Sequence, residues 1–553
     1  MAVTRLRQSI DDAALQLLNQ VDRDPYSRLR GCCDRRFWGW KLVDFPDATL
    51  QRTVQPLAWM LAHAPGHLPV PDDDVADAIV SGLLYCGEIQ HGDGSFDQAY
   101  PQEHSVAGTA FLLDSAIAAY TVVGERCAAS ERTRILDTFQ RAAAFLCRQD
   151  ETHGVIANHV AGSILALLRA ESLLQDGASG ARADRLLQHL LDSQSREGWF
   201  PEYDGCDPGY LSLCVYYLAQ VRTLRPSARL TEALTRAVTF LSHFIHPDGT
   251  FGGVYGSRRT AVYYPGGVAM LSAELPLAAR MTTVMLRAAD SRRLLGPGQP
   301  DAGNAVPVLA SYQLALQHAQ DDAGTIPDAS LLPFERGGRA DFPEAGLYVR
   351  SSSAVWAVVG TANGGTVSAW DRRTARRVCD DGGWVAESGS QRWTTQSTAA
   401  HPVEATDDSV QVTSGFRRMQ QRIPTVPTMT ALRLAGALLR WPAIGERVKR
   451  LLVHLLLRVG KPVEATVQRT VIISDRGIDV HDVLSGSRSF WAPLTRLSCG
   501  RPFSAIHMAS AGYVVHRAQR PSVTEADLRV LAATGTYNVS SSTRVEHQDE
   551  RPS

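Results

Sequence analysis

The chain has 553 residues, of which 44% are hydrophobic and 20% charged, and its formal net charge is -1. This composition excludes wholesale disorder and predicts about two to four domains with a sizeable core. The balanced charge argues against a dedicated nucleic-acid binder, which would carry a basic excess. The nine cysteines are scattered without a metal-binding spacing, which predicts buried or free thiols in a reducing compartment.

The first 20 residues predict an amphipathic helix and not a signal peptide. Arg and Asp residues interrupt them, and they lack an apolar core segment. The chain contains no apolar run of about 18 residues, so we expect no membrane-spanning helix. These features predict a cytoplasmic protein.

Residues 1–290 predict one helix after another, each with apolar residues at i, i+3 and i+4. The predicted helices are Asp74–Tyr85, Ala107–Val122, Glu131–Arg148, Val160–Leu174, Ala183–Ser193, Leu211–Thr223 and Thr231–Phe244. Four joints between them share a glycine that follows polar residues and precedes a large apolar residue. These glycines, Gly94, Gly154, Gly198 and Gly249, lie 60, 44 and 51 residues apart. This degenerate repeat of helix pairs predicts an α/α toroid, in the form of an incomplete barrel of helix pairs.

The residue composition and the hydrophobic pattern change in the second half of the sequence. Residues 291–341 are rich in Gly, Pro, Asp and Ala and predict a linker with one short helix, Ala310–Ala319. Residues 342–553 predict an antiparallel β-sandwich domain, because short β-branched and aromatic runs alternate with turn residues. The predicted fold class is therefore α+β multidomain.

A basic helical insertion interrupts the predicted sandwich at about 428–461. It has seven Arg or Lys residues against the single acid Glu446, and its second half has one apolar face. Two interpretations stay open. The insertion packs on the toroid, or it lies on an anionic membrane as a peripheral contact at the inner face.

Two joints carry the strongest candidates for catalysis. Asn158 and His159 begin a predicted helix, where they either cap it or point into the bowl of the toroid. The next joint is a polar and aromatic loop, and loops on a rigid scaffold often carry function. Its candidate residues are Trp199, Glu202, Tyr203, Asp207 and Tyr210.

Two further groups are candidates for substrate binding. Tyr255, Arg258 and Arg259 follow a glycine-rich turn, and the forked guanidinium of arginine matches a carboxylate. Trp38, Trp40 and His104 form the other group, where aromatic rings near charges either stack on sugars or plug the end of a helical barrel. No motif for phosphate binding, zinc peptidases or serine hydrolases is present, and we predict no metal and no cofactor.

These features resemble the heparinase II/III-like polysaccharide lyases. Asn158-His159 at a helix start and the loop from Gly198 to Tyr210 carry the resemblance, together with the run from Phe342 to Val349. The resemblance implies an α/α toroid joined to a β-sandwich. It also implies that Asn158, aided by His159, neutralises a uronate carboxylate, and that Tyr210 is the base or acid at C5 and O4, with Tyr203 as the second choice. The family's His-rich stretch after the first sandwich strands has no counterpart here, since residues 364–371 contain no His.

The resemblance implies C5 proton abstraction from a uronate-containing polysaccharide. Loss of O4 then gives a lyase, and reprotonation from the other face gives a C5-epimerase. We expect a tyrosine near an arginine to have a lowered pKa and so to serve as base. The expected partner is an acidic polysaccharide or lipid-linked glycan in exopolysaccharide metabolism. A non-catalytic glycan-binding or assembly protein and a terpene-cyclase-like toroid enzyme are the alternatives.

Overall fold

A computed structural model describes residues 3–151, 156–203, 205–319, 331–396, 398–419, 423–439, 447–448, 460–499 and 523–545. The first part is helical, and several of its helices begin at a side chain that accepts a backbone N–H, such as Asp34, Ser105, Asp207 and Ser227. The helices are α1 Thr4–Leu18, α2 Arg35–Trp40, α3 Val54–His63, α4 Asp72–Ile89, α5 Val106–Val123, α6 Ala129–Arg148, α7 Ala157–Leu174, α8 Gly177–Asp192, α9 Pro208–Leu224, α10 Ala228–Ser242, α11 Pro265–Met270, α12 Pro276–Asp290, α13 Ala302–His318, α14 Pro333–Arg336, α15 Val426–Leu439, α16 Arg488–Trp491 and α17 Glu525–Thr534.

The helices form two concentric rings. Helices α3, α5, α7, α9, α11 and α13 contact one another in this order, and α13 contacts α3 and so closes the inner ring. Helices α4, α6, α8, α10, α12 and α1 follow one another on the outside. Each inner helix is buried on most of its surface, which explains why the inner α5 is apolar all round. The predicted α/α toroid is therefore confirmed.

The glycine joints that the structure describes share one hydrogen-bonding pattern, and Gly154 of the second joint lies outside the described residues. At the first joint Gly94 N–H donates to His91 O, and at the third Gly198 N–H donates to Ser195 O. Both glycines have positive φ, 96° and 104°. A Cβ atom on Gly94 would lie 2.1 Å from the Arg141 carbonyl oxygen of the next outer helix. The repeat seen in the sequence is thus a tight reversal that needs glycine for its backbone angle and for this close approach.

The second part is a β-sandwich. Its strands are β1 Ala340–Phe342, β2 Leu347–Ser351, β3 Val355–Gly360, β4 Thr366–Asp371, β5 Arg377–Asp381, β6 Trp384–Ser388, β7 Gln391–Thr394, β8 Val403–Ala405, β9 Ser409–Arg418, β10 Pro462–Ser474, β11 Gly477–Gly486, β12 Arg496–Cys499 and β13 Thr536–Arg544. Strands β1 to β5 form one antiparallel sheet in chain order. The larger sheet has the order β12-β6-β7-β9-β10-β11-β13, with β8 paired to β9.

The smaller sheet lies between the helical ring and the larger sheet. Along β3, Val355, Ala357 and Val359 belong to the core shared with the larger sheet. The alternate residues Trp356 and Val358 belong to the core of the ring. Because neighbouring side chains on a strand point to opposite faces, one strand joins both cores. The protein is thus an α+β multidomain chain, with an N-terminal α/α toroid followed by an antiparallel β-sandwich.

Two predicted elements differ in the structure. The helix predicted at Ala310–Ala319 begins eight residues earlier, at Ala302, and it completes the inner ring although it lies in the predicted linker. Its start was missed because Pro307 lies inside it. In the predicted insertion, α15 is described from Val426 to Leu439, whereas 440–446 and 449–459 lie outside the described residues. The proposed domain bounds at 290 and 341 stay predictions.

One described segment, Val106–Arg126, is long and apolar enough to cross a membrane. It contains α5, and 72% of its most apolar stretch is buried inside the structure. Its hydrophobicity is therefore accounted for by its position in the inner ring.

Candidate active site

The joints that lead from outer to inner helices place their side chains at one end of the ring. Inner helices α5, α7 and α9 begin at Val106, Ala157 and Pro208, directly after these joints. The N-terminal ends of the inner helices therefore meet at this end, where the positive ends of the helix dipoles favour negative charge. Most of the predicted site residues lie here.

Asn158 and Glu202 form a buried pair that joins the second and third joints. The Asn158 Nδ2 atom lies 2.9 Å from both carboxylate oxygens of Glu202, and the Asn158 backbone N–H donates to Oε1 over 3.0 Å. The two residues are 2% and 1% exposed. A backbone bridge between Ile156 and Glu202 sets this register. Asn158 is the second residue of α7, so the N-cap interpretation is not what the structure shows, since the cap position is Ile156.

The pair leaves the amide of Asn158 with donor capacity. The two N–H bonds of an amide diverge more widely than the two oxygens of a carboxylate as seen from the nitrogen. Both N–H groups therefore cannot make straight hydrogen bonds to Glu202 at once. Glu202 therefore fixes the orientation of the amide and leaves one of its N–H groups able to donate to another acceptor.

Glu202 is a carboxyl group buried beside a neutral amide. Burial raises its pKa to about 7, although the hydrogen bonds from Asn158 and the charge of His159 act in the opposite direction. The group therefore titrates near neutral pH, which is typical of groups in active sites.

His159 is held by a carboxylate that the sequence analysis did not single out as a site residue. Its Nδ1 atom lies 3.0 and 2.9 Å from the two oxygens of Glu151. The edge of the ring packs against Phe111, with 5.5 Å between ring centroids. A carboxylate on one ring nitrogen fixes the orientation of an imidazole and strengthens it as a base.

Tyr203 and Arg258 bring the third and fourth joints together. The guanidinium of Arg258 lies over the ring of Tyr203, 4.6 Å from its centroid. Tyr203 has a φ of 52°, a backbone conformation that non-glycine residues rarely adopt. Such strain persists only where the surrounding structure holds it, and it is common at functional sites.

The expectation of a lowered tyrosine pKa is wrong. Burial raises the pKa of Tyr203 to about 12, and the nearby Arg258 offsets only part of this effect. Burial also raises the pKa of Tyr210 far above its ordinary value, against the same arginine. Both phenols are therefore protonated at neutral pH, and desolvation outweighs the cation that the sequence suggested.

Asp207 supports the site through the backbone. It caps α9 by accepting from the Tyr210 N–H over 3.1 Å, and its other oxygen accepts from Arg258 N–H and Thr260 N–H at 3.0 and 3.2 Å. Its carboxylate thus binds three backbone groups and holds the Arg258 loop against the start of α9. Asp207 was predicted to bind substrate, but both of its carboxylate oxygens accept hydrogen bonds from the protein backbone.

The sandwich closes one side of this region. The amide of Asn363 donates to the carbonyl oxygens of Tyr255 and Gly256 over 2.9 and 2.8 Å. The guanidinium of Arg259 donates to the Gln396 carbonyl oxygen, while its buried Nη1 has no hydrogen-bond partner among the described residues. A Cβ atom on Gly205 would lie 3.6 Å from the Thr398 side chain. Gln396 and Thr398 of the sandwich therefore lie beside the site.

Tyr255 and Trp199 lie between the toroid and the sandwich. Tyr255 is 1% exposed, and its hydroxyl lies 2.7 Å from His246 Nε2. Trp199 donates to Glu197, which in turn accepts from backbone N–H groups at the start of the sandwich. We assign both side chains to the contact between the domains.

His104 belongs to a cluster at the first joint. Its Nδ1 atom lies 2.9 Å from Asp93, and His91 lies 2.9 Å from Asp97, with 4.3 Å between the two ring centroids. Burial would lower the pKa of His91, but Asp97 raises it above its ordinary value. Asp97 also accepts three backbone N–H groups from residues 102–104 and so shapes the turn that carries Glu103. The charge of Glu103 acts on Tyr203, which places this joint near the third.

The two predicted tryptophans differ from each other. Trp38 donates to the Gln20 carbonyl oxygen over 2.7 Å, and Arg35 covers its ring at 4.4 Å. Trp40 is 76% exposed. No described contact joins either ring to the Asn158–Glu202 pair.

The structure therefore brings together Asn158, His159, Glu202, Tyr203, Tyr210 and Arg258. Sequence reasoning missed Glu151 as the partner of His159, and it missed Asn363 and Gln396 from the sandwich. A glutamate eight residues before His159 was a weak signal for the first. The other two had none, because nothing in the sequence tells which sandwich loop meets the toroid.

Comparisons with known proteins give distant structural similarities. No protein-family model and no curated protein matches the chain. A solved heparinase III is similar with a TM-score of 0.43 and 10% identity, over 90% of this chain and 73% of that one. A heparan sulfate lyase from Pedobacter heparinus gives 0.41 and 11%, over 90% and 71%. A GH127 β-L-arabinofuranosidase from Geobacillus stearothermophilus T6 gives 0.36 and 11%, over 97% and 94%. At this level no residue role and no substrate carries over, and membership of the heparinase II/III-like family stays a prediction.

Proposed function

We propose that the protein is a carbohydrate-active enzyme that abstracts the C5 proton from a uronate in an acidic polysaccharide. One observation carries the proposal: the amide of Asn158, fixed by the buried Glu202, lies next in sequence to an imidazole fixed by Glu151. Tyr203 and Arg258 complete the group from the neighbouring joints. An amide donor, a base and a phenolic acid are the parts that such a reaction needs.

The carboxylate of the substrate is the main obstacle to this reaction. An ionised carboxylate cannot accept the charge that develops when the α-proton leaves. Donation by the Asn158 amide, at the end of the ring where inner helices begin, would stabilise that charge. Donors placed in advance toward developing charge are often the largest catalytic contribution.

The tyrosines and the histidine then divide the proton transfers. Both phenols have raised pKa values, so they support the role of general acid toward O4 and not that of resting base. The Glu151–His159 pair supports the role of base at C5. We therefore propose Tyr210 as the general acid toward O4, with Tyr203 as the second choice.

Elimination and epimerisation share this first step. Departure of O4, protonated by a tyrosine, yields a lyase, whereas return of a proton to the opposite face of C5 yields an epimerase. A lipid-linked or exopolysaccharide substrate and a cytoplasmic location stay predictions from the sequence.

The experiment compares wild type with Asn158→Ala on a panel of uronate polymers in deuterium oxide. Unsaturated products are followed by ultraviolet absorbance, and deuterium at C5 is measured by mass spectrometry. We expect one of the two signals from wild type and its loss in the variant. Asn304→Ala, which changes an asparagine at the start of α13, is the matched control. No signal on any acidic polymer would contradict the proposal and favour a glycan-binding protein.

A further inference from the structure

Exposed apolar side chains are concentrated in two short segments. Twelve large hydrophobic residues are exposed in the described part of the chain, and seven of them lie within residues 40–43 and 423–434. We call the following set the apolar ridge: Trp40, Leu42, Val43, Ile423, Val426 and Leu434, with Met429 beside them. Trp40, Leu42, Ile423, Val426 and Leu434 are each between 75% and 88% exposed. Single exposed apolar residues are normal, but such a concentration marks an interaction surface.

The two segments are neighbours in space. The Arg433 Nε atom of α15 lies 2.7 Å from the Asp44 carboxylate. The same guanidinium lies over the ring of Phe45, 5.7 Å from its centroid. The helix of the sandwich domain and the loop of the toroid therefore expose their apolar residues side by side.

Basic residues outnumber acidic ones in the two ridge segments and in the sequence that follows α15. Asp44 is paired with Arg433, and Asp47 accepts hydrogen bonds from Thr49, so the acids of the loop are engaged. Lys41 is exposed on the same segment, and the exposed Arg36 lies 3.5 Å from the Asp34 carboxylate. The sequence that follows α15 carries a further excess of basic residues: Arg440, Arg447, Lys449, Arg450, Arg458 and Lys461 against Glu446.

We infer that the apolar ridge docks on the surface of an anionic lipid bilayer. Exposed Trp and Leu side chains insert at the boundary between headgroups and acyl chains, and basic residues nearby are attracted to anionic lipid. The excess of basic residues in the sequence after α15 favours this occupant over an uncharged protein surface. The inference also gives Trp40 a role at the membrane instead of the predicted one on a sugar, and it does not depend on the proposed reaction.

The test uses the full chain and two kinds of vesicle. Flotation is measured with phosphatidylcholine vesicles and with vesicles that also contain phosphatidylglycerol, at low and at high salt. We expect binding to the anionic vesicles at low salt and weaker binding at high salt. The double variant Trp40→Ser, Leu42→Ser should lower the vesicle affinity about tenfold or more, because two apolar side chains no longer insert.

Matched controls separate a surface effect from misfolding. Tyr26→Ser and Val530→Ser change residues that are exposed outside the ridge, and they should leave binding unchanged. Circular dichroism and activity on the uronate panel report whether the double variant is folded. Wild type that binds neither vesicle would overturn the inference, and so would a double variant that binds as well as wild type. Concentration-dependent dimerisation that only the double variant loses, without lipid, would assign the ridge to a second copy of the chain.

Discussion

The toroid and the sandwich each contain a cluster with a buried carboxylate, and the partners of these carboxylates differ. In the sandwich, Arg469 lies between Asp482 and Asp381, with N–O distances of 2.8 and 3.2 Å, and Trp384 donates to Asp482. In the toroid, the partner of the buried Glu202 is the neutral amide of Asn158. The first arrangement pairs both carboxylates with one cation, whereas the second leaves a carboxyl group with a pKa of about 7.

This difference separates a structural cluster from a chemical one. Buried carboxylates that share a cation hold a fold in one arrangement, since removing the cation leaves them uncompensated. A buried carboxyl next to a neutral donor can gain or lose a proton near neutral pH, and enzymes use groups of this kind. We therefore expect changes in the sandwich cluster to affect stability and changes in the toroid cluster to affect activity and its pH dependence.

The largest effect is expected in the sandwich. Arg469→Leu leaves Asp482 and Asp381 buried without their cation and should lower the free energy of unfolding by about 3–5 kcal/mol. Urea unfolding measures the change. Arg529→Leu removes a guanidinium from an exposed pair with Glu525 and should leave the free energy of unfolding unchanged within error. An equal change in the free energy of unfolding for the two variants would show that the buried sandwich cluster does not stabilise the fold.

Next in size is the loss of the donor in the toroid. Asn158→Ala should lower kcat/KM on the uronate substrate about 100- to 1000-fold, as expected when one donor to developing charge is removed. Steady-state kinetics measure the loss, with Asn304→Ala as control. If kcat/KM falls by less than threefold, Asn158 does not contact the reacting group.

A third prediction concerns pH and Glu202. A carboxyl whose pKa is raised in the folded state binds its proton more tightly there, so wild type loses stability as pH rises through the interval between the two pKa values. That interval runs from the ordinary glutamate value, about 4.3, to about 7. The loss should amount to roughly 4 kcal/mol at most. Glu202→Gln should remove this slope in urea titrations at several pH values.

Glu274 is the matched control for this titration. Arg222 lowers the pKa of its carboxyl, so its contribution to stability is present above the ordinary glutamate pKa and is lost as pH falls. Glu274→Gln should therefore leave the slope between about 4.3 and 7 in place. An unchanged slope in Glu202→Gln would show that another group titrates.

The smallest predicted effect separates the two tyrosines. Tyr203→Leu removes the ring beneath Arg258 and should raise KM about two- to fivefold, the size of a partly exposed cation–π contact. Tyr203→Phe keeps the ring and should leave KM near that of wild type. A large fall of kcat in Tyr203→Phe would instead make Tyr203 the general acid.

Much of the fold could be predicted from the sequence, because helix periodicity and the glycine joints are local signals. The helix predicted at Ala107–Val122 is observed at Val106–Val123. Gly94 and Gly198 have the positive φ angles that the turns require. The helix α13, which closes the inner ring, was predicted too short, because Pro307 lies inside it and residues rich in Gly and Pro precede it.

The chemistry of the site was less predictable, for a physical reason. The residues at the helix starts could be named, but the direction of the tyrosine pKa shift depends on burial, which no short sequence window shows. Contacts such as Asn363 with Tyr255 join residues 108 positions apart, and only the folded chain brings them together.

Hydrogen exchange at C5 tests the central claim most directly. Wild type and Tyr210→Phe are incubated with the responsive uronate polymer in deuterium oxide, and both deuterium at C5 and unsaturated ends are counted. With Tyr210 as the acid, we predict that the variant still exchanges the C5 proton while product formation falls about 100-fold or more. Loss of neither signal in the variant, or failure of wild type to exchange C5 or form product, would contradict the account.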